Sequence, residues 1–466
     1  MLAYLPLLEA VWMSLVACVT AYGVAYHGFS AWPTPVAVAA QAMALSVSAV
    51  IALYYNGLYD VRVADAVPRA WRRLAHAVLV TAVFLAAVYA WFPDGARTLP
   101  LSGALVLVAF IPLRTAACRI IRSRPFVERV LVVGAGALAE LVVRELRARP
   151  SLPYTIVGVV DDAPDSELRS RFPLLGPLAH LAKVVEAVEP DRLVITLAPR
   201  RSRVLVPDLL RWRAAGVAIE LGTDFYERLT GRLALEWLSP STLVFDRGMR
   251  ASLLANAMRR AVSMAVAACG VVALAPALAL IALAIKLDSS GPVFFVQRRQ
   301  GAGGRIFSLI KFRTMHPAAA GGSEWVRDNE QRITRLGKWL RRFRLDELPQ
   351  FVNILRGDMN LIGPRPHPAS NVPLFAEKIP FYALRSAVRP GVTGWAQVRY
   401  GYANSLEEEI EKMRYDLYYV KHASVWLDLR IVIDTIKIVV LGRGAVAADA
   451  DHVAGRKPRL DSLEAA

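Results

Sequence analysis

Four apolar stretches, at about 5–26, 36–58, 74–92 and 99–121, fill the first quarter of the 466-residue chain. Each is close to the ~20 residues a helix needs to cross the ~30 Å hydrocarbon core of a bilayer. Nothing else constrains the fold as strongly. In hydrocarbon every backbone N–H and C=O must be satisfied within the segment, so single apolar segments of this length cross as helices. The first stretch is too long, and lacks the basic start, to be a typical cleaved signal peptide. Arg62, Arg69, Arg72 and Arg73 lie between the second and third stretches, and Arg119, Arg122 and Arg124 end the fourth. The other two connections, HGFSAWPTP and PDGART, hold one arginine between them. Lys and Arg concentrate on the cytoplasmic side, so the pattern predicts a transmembrane bundle over 1–124 with both ends in the cytoplasm.

A fifth apolar stretch, at about 261–287, has Arg259 and Arg260 before it and Lys286, Arg298, Arg299 and Arg305 after it. Cations on both flanks oppose a simple crossing, and Pro276 inside the stretch removes a helical hydrogen bond. The expectation is a re-entrant membrane helix over 251–290 that breaks at Ala275-Pro276 and returns to the face it entered. An ordinary kinked span is the alternative. The net charge of +17, from 56 basic and 39 acidic residues, suits anionic headgroups and phosphorylated substrates. No motif with interleaved aromatics points to nucleic acid. Cys18, Cys118 and Cys269 are too scattered for a disulfide framework or a zinc site and read as small buried residues.

From Val130 the pattern turns to soluble α/β. RVLVVGAGALAE, YTIVGVVDD, DRLVITLA and GVAIEL read as short buried strands alternating with helices, which implies a parallel sheet over 125–250. Gly134, Gly136 and Ala139 have the spacing of a dinucleotide fingerprint, and Asp161-Asp162 end the second strand. Two readings follow: a nucleotide site, or a Rossmann-like module for regulation or assembly that needs the glycines only for its turn.

After the fifth stretch, GPVFFVQRRQGAGGRIFSLIKFRTM predicts a hairpin against the headgroup layer, with Lys311 and Arg313 as candidate phosphate contacts. Ile333, Leu336, Leu340 and Phe343 recur at helical spacing, while Arg335, Lys338, Arg341 and Arg342 fall largely off that stripe. This is a basic amphipathic helix, either interfacial or packed on a core with a solvated basic face. At its end comes LDELPQFVNILRGDMNLIGPRP, in which Asp346-Glu347 follow the cations and Arg365 sits between two prolines. Carboxylates beside several cations suit a phosphate ester: the cations neutralise the phosphates, one carboxylate attacks or activates, and the other holds a metal. Pro349 suits the first turn of a helix reaching about Leu355.

The pieces QRRQG, KFRTM, ITRLGKWLRR, LDELPQFVNILRGDMNLIGPRP, RPGVTGWAQV and RYDLYYVKHASVWLDLRIVIDTI stand in order between 291 and about 444. Together they resemble the bacterial sugar transferase family of monotopic polyprenyl-phosphate phosphoglycosyl transferases. With four spans and a Rossmann-like insert ahead, the chain is similar to the large subgroup. The fold expected is therefore membrane α plus α/β: a four-helix bundle, a Rossmann-like parallel-sheet domain, a re-entrant helix, a mainly helical catalytic domain over 291–448 and a disordered tail over 449–466. VRYGY after the WAQ motif departs from the commoner VNGYRG.

The resemblance implies a two-step transfer on the cytoplasmic face of a bacterial inner membrane, starting exopolysaccharide or O-antigen repeat units. Asp346 attacks the sugar-bearing phosphate of a nucleotide diphosphate sugar, a UDP-hexose by family inference, and the phosphosugar passes to polyprenyl phosphate. Glu347 holds Mg²⁺. Arg365 contacts phosphate or nucleotide, Arg389 shapes the pocket wall and reaches phosphate, and Arg342 joins the substrate-binding cations. Asp358 either closes the Arg-Gly-Asp corner or supports a ligand indirectly; Tyr415 and Asp416 read as structural. Asp449 to Asp451, the one DxD triplet, lies in the tail, which argues against an ordinary metal-dependent glycosyltransferase. The middle domain and bundle are compatible with a homodimer. Two rivals remain: a nicotinamide-dependent sugar-nucleotide enzyme built on Gly134 and Gly136, and a non-catalytic membrane receptor or scaffold.

Overall fold

The computed structural model of the chain describes residues 127–149, 152–162, 173–238, 253–316, 331–401 and 403–441, with single positions 11, 12, 15, 19 and 43. The expected four-helix bundle and the tail with its Asp449 to Asp451 triplet lie outside the described residues. The chain divides into two compact units, Met1–Phe225 and Tyr226–Ala466.

In the first unit β1 (Glu128–Val133), β2 (Tyr154–Val160), β3 (Leu174–Gly176), β4 (Arg192–Ile195) and β5 (Ala218–Leu221) form one sheet in the order β3-β2-β1-β4-β5. Every pairing is parallel. The helices α1 (Ala137–Arg147), α2 (Leu181–Val188) and α3 (Val206–Ala214) alternate with the strands, as the sequence pattern predicts. Val130 to Val133 are wholly buried, which explains why β1 reads as a continuous apolar run rather than an alternating one.

The glycine turn after β1 is crowded at Gly134 and open at Gly136. Gly134 has φ +111°, and a Cβ there would sit 2.6 Å from Thr196 Oγ1. Ala135 N donates to Asp161 Oδ2 at 2.7 Å. Arg201 Nη2 donates to Asp161 Oδ1 at 3.0 Å and to Asp162 Oδ2 at 2.9 Å, while Leu178 N donates to Asp162 Oδ1 at 2.8 Å. The acids that a bound ribose would need are thus engaged within the fold.

In the second unit α4 (Leu253–Asp288) is a 36-residue helix that continues unbroken through Pro276, so the expected break at Ala275-Pro276 is corrected to a proline inside a continuous helix. Its most apolar window is only 6% buried, leaving Val272, Leu280, Leu283 and Leu287 exposed. Cys269, expected to be buried, is exposed on this same helix. Both halves of α4 pack on one small domain. Arg260 donates to Met359 O at 2.8 Å and Ile354 O at 2.6 Å, and Ala267 clusters with Leu309, Ile354 and Met359. Ile285 clusters with Phe312 and Leu340. Straight helix from Ala267 to Ile285 would run ~27 Å, whereas Leu309 and Phe312 are only ~10 Å apart along their strand. Pro276, which has no N–H to donate along the helix, is where a bend that reconciles the two would fall.

The predicted hairpin is present: β6 (Phe294–Gln300) pairs antiparallel with β7 (Ile306–Phe312), with Phe294 opposite Phe312. Phe294, Phe295 and Val296 are exposed. The amphipathic helix is α5 (Arg335–Arg342), capped by Thr334, whose side chain accepts from Gly337 N at 2.9 Å. Then follow α6 (Gln350–Arg356), β8 (Asn360–Ile362), α7 (Val372–Lys378), β9 (Gly391–Thr393), α8 (Trp395–Arg399), α9 (Leu406–His422) and α10 (Val425–Leu441). β8 and β9 pair in parallel.

Candidate active site

Arg344, at φ +58°, takes the left-handed conformation and turns the chain out of α5 into a single 3₁₀ turn, Leu345–Glu347. Leu348 and Pro349 keep helical angles into α6, so the acid pair lies on one nearly continuous helical run. Asn353 fixes that run on β7, donating from Nδ2 to Ser308 O at 2.8 Å and accepting from Ile310 N at 3.0 Å. This register places Lys311 beside the pair.

Asp346 and Glu347 are both buried, at 7% and 5% exposure, yet their surroundings differ. Glu347 Oε1 lies 2.8 Å from Arg365 Nη2, 3.4 Å from Arg344 Nη1 and 3.8 Å from Lys311 Nζ. Its Oε2 accepts from Arg365 Nη1 at 3.2 Å, completing a two-pronged guanidinium grip. Asp346 accepts no hydrogen bond among the described residues. Burial pushes its carboxyl up, as does the charge of Glu347, against the pull of Lys311, Arg341 and Arg365. Burial acts on Glu347 in the same sense, but Arg365, Lys311 and Arg344 outweigh it and hold that group well below the usual range. Burial and Arg365 together bring the Lys311 ammonium down to about 7.

The loop carrying Arg365 is pinned from two directions. Arg299 Nη1 donates to Pro366 O at 2.8 Å, and Arg385 Nη2 donates to the Arg365 carbonyl. Arg385 is itself paired with buried Asp416, at 2.8 Å. Next along the loop, His367 is buried with Nδ1 2.9 Å from Tyr382 Oη. Its Nε2 lies 2.7 Å from Glu409 Oε1. Burial pushes the imidazole down to about 3, with Arg385 adding to the effect, so it stays neutral.

Of the expected site residues, the structure therefore gathers Asp346, Glu347, Lys311 and Arg365. Arg313 departs from expectation: it donates to Ser289 O at 2.7 Å, to Ser289 Oγ at 3.0 Å and to Ser290 O, closing the carbonyl end of α4. Arg342 is exposed over the Phe343 ring, and Arg389 is exposed near Arg260; among the described residues no contact joins either to the acid pair. Asp358 takes the corner role, accepting from Asn353 Nδ2 at 3.1 Å. Arg344 and Arg341 stood in the basic run without being singled out, because only the left-handed turn reveals which cations face the pair. Arg385 lies in no recognisable motif. Among the described residues no three His, Cys, Asp or Glu side chains group as a metal site, so a metal here would draw ligands from a bound phosphate.

A family model described as bacterial sugar transferase matches residues 254–442, and one described as CoA-binding domain matches residues 55–221. The chain is 41% identical over 220 residues to the UDP-N-acetylgalactosamine-undecaprenyl-phosphate N-acetylgalactosaminephosphotransferase of Aeromonas hydrophila, covering 47% of this chain and 51% of that protein. It is 33% identical over 334 residues to the undecaprenyl-phosphate glucose phosphotransferase of Komagataeibacter xylinus, covering 69% of this chain and 61% of the relative. Over 205 residues it is 43% identical to the UDP-glucose:undecaprenyl-phosphate glucose-1-phosphate transferase of Caulobacter vibrioides, covering 43% of this chain and 77% of the relative. The matches thus span between half and about three fifths of the first two relatives, and more than three quarters of the third. With the ordered motifs around the buried acid pair, these similarities make the chain a member of the bacterial sugar transferase family.

Proposed function

We propose that this protein transfers a sugar-1-phosphate from a nucleotide diphosphate sugar, a UDP-hexose, to polyprenyl phosphate through a covalent intermediate on Asp346. The observation that carries the reading is the asymmetry of the acid pair. Glu347 is gripped by Arg365, Arg344 and Lys311, whereas Asp346, a buried residue, accepts no hydrogen bond among the described residues. A carboxylate stripped of donors is the better nucleophile of the two.

Asp346 Oδ forms a bond to the sugar-bearing phosphorus as the P–O bond to the nucleoside monophosphate breaks, and the leaving group departs with the electron pair. An oxygen of polyprenyl phosphate then attacks the same phosphorus and returns the carboxylate. Neither step needs a general base, which accords with a His367 kept neutral and enclosed. Lys311 and Arg365 meet the charge on the phosphates. A carboxylate suits Mg²⁺ in type, and while Glu347 Oε1 accepts from both Arg365 and Arg344, Oε2 carries the Arg365 bond alone and keeps a lone pair. Glu347 would hold the ion, which when bound would neutralise diphosphate charge.

Exposed Phe294, Phe295 and Val296 on the hairpin, Trp339 on α5 and Trp426 on α10 suit a surface that meets lipid. The reading places the catalytic unit on the cytoplasmic face of an inner membrane, with 1–124 as its bundle. The relatives' names differ in their sugar, so the hexose is open to a panel of substrates. Detergent-solubilised protein with Mg²⁺, polyprenyl phosphate and UDP-sugars is expected to release UMP. Asp346→Asn is expected to abolish both that release and the phosphosugar mass on the protein. Release of UDP in place of UMP would sink the covalent mechanism.

A further inference from the structure

Gln350, one turn on from the acid pair, carries a buried amide nitrogen that its described neighbours leave unsatisfied. It is 2% exposed, and its Nε2 is buried without a hydrogen-bond partner among the described residues. A desolvated, unpaired amide opposes folding, so its presence calls for a reason such as a ligand atom. Gln350 follows Asp346 by four residues and Glu347 by three, and the backbone between stays helical, with Leu348 at φ −55°, ψ −36° and Pro349 at φ −61°, ψ −15°. Residues at these spacings share a helix face. One turn further along that face, Asn353 spends its amide on the backbone of β7, bonding Ser308 O and Ile310 N. Gln350 finds no such partner.

Among the described residues two groups one helical turn apart are thus left over: the Asp346 carboxylate, which lacks a donor, and the Gln350 amide, which lacks an acceptor. A phosphoryl group answers both, offering phosphorus to the first and a non-bridging oxygen to the second. We propose that the Gln350 carboxamide donates a hydrogen bond to a non-bridging oxygen of the phosphoryl group that Asp346 attacks, and so is a catalytic residue of the transfer. The inference rests on the reaction proposed above. Gln350 gives up no proton: as the Asp346 Oδ–P bond forms and the bond to the nucleoside monophosphate breaks, its N–H holds the oxygen on which charge gathers.

The test uses the full chain in detergent with Mg²⁺ and the accepted nucleotide sugar, with acceptor lipid withheld so that each competent site releases one nucleoside monophosphate. Burst amplitude counts folded sites, and burst rate reads the phosphoryl step. Gln350→Met, similar in length and without a polar donor, is expected to keep the amplitude and a Tm at or above wild type while the rate falls about 10- to 100-fold. Gln350→Glu, which keeps the shape and loses the donor, is expected to be at least as slow. A wild-type burst rate per competent site in Gln350→Met overturns the proposal, whether Tm rises or falls, because the amide then serves packing alone. Silence of the wild type with every nucleotide sugar would defeat the transfer reaction and this role with it, and is told apart by the control.

Discussion

Adjacent carboxylates with the same burial but different partners have opposite acidities: Asp346 is pushed up by burial and Glu347 is held well down by its cations. Lys311, at about 7 beside them, adds a second titration. We expect kcat/KM for UMP release to rise with pH as Asp346 ionises, then to fall as Lys311 loses its proton near 7. Lys311→Arg, which stays charged, should carry the falling limb upward; a limb unmoved in that variant would clear Lys311 of substrate binding. Stability follows by linkage. Lys311 titrates at about 7 in the folded protein against an ordinary 10.5, so between those values the unfolded chain holds the extra proton. Its contribution to stability is therefore least below pH 7 and improves from about 7 to 10.5. Lys311→Met should accordingly gain more in Tm at pH 6 than at pH 10.

At the scale of elements, the site depends on how tightly α5 and the Arg365 loop seat on their supports. A Cβ on Gly337 would lie 2.2 Å from the Thr314 carbonyl oxygen, so α5 can approach the strand exit only with glycine there. Gly337→Ala should cost about 2 kcal/mol or more, read by denaturant unfolding, and should slow turnover by shifting Arg341 and Arg344. Asp416→Asn removes the anion that balances buried Arg385, which is expected to cost about 3–5 kcal/mol. A Tm close to wild type in Asp416→Asn would mean that the pair does not brace the Arg365 loop. The stripe of Leu336 and Leu340 made α5 legible, and both pack as that spacing implies. The destinations of Arg313 and Arg385 were not legible. A long cation is drawn equally to a phosphate, a carboxylate or a helix's last carbonyls, and sequence spacing does not distinguish them.

For the whole molecule, the open question is where the two ends of α4 emerge. Both halves pack on one domain around Pro276, so Asn256 and Asp288 should face the same compartment. In a background lacking the three native cysteines, single cysteines at these positions are expected to react with a membrane-impermeant maleimide from the same side of inside-out vesicles. Labelling from opposite sides would make α4 a true span.

Periodicity and composition alone determined the parallel sheet around β1, the apolar helix, the hairpin, the basic amphipathic helix and the acid pair itself. These are local matters: burial on both faces writes a continuous apolar run, burial on one face writes a stripe, and a turn asks for glycine. Tertiary structure alone decided which of two adjacent acids is gripped, which cations reach them, that Asp161 bonds the glycine turn and pairs with Arg201, and that α4 runs on through its proline. Each depends on side chains far apart in sequence, where charge, burial and geometry are set by packing and no residue carries the outcome in its own neighbourhood.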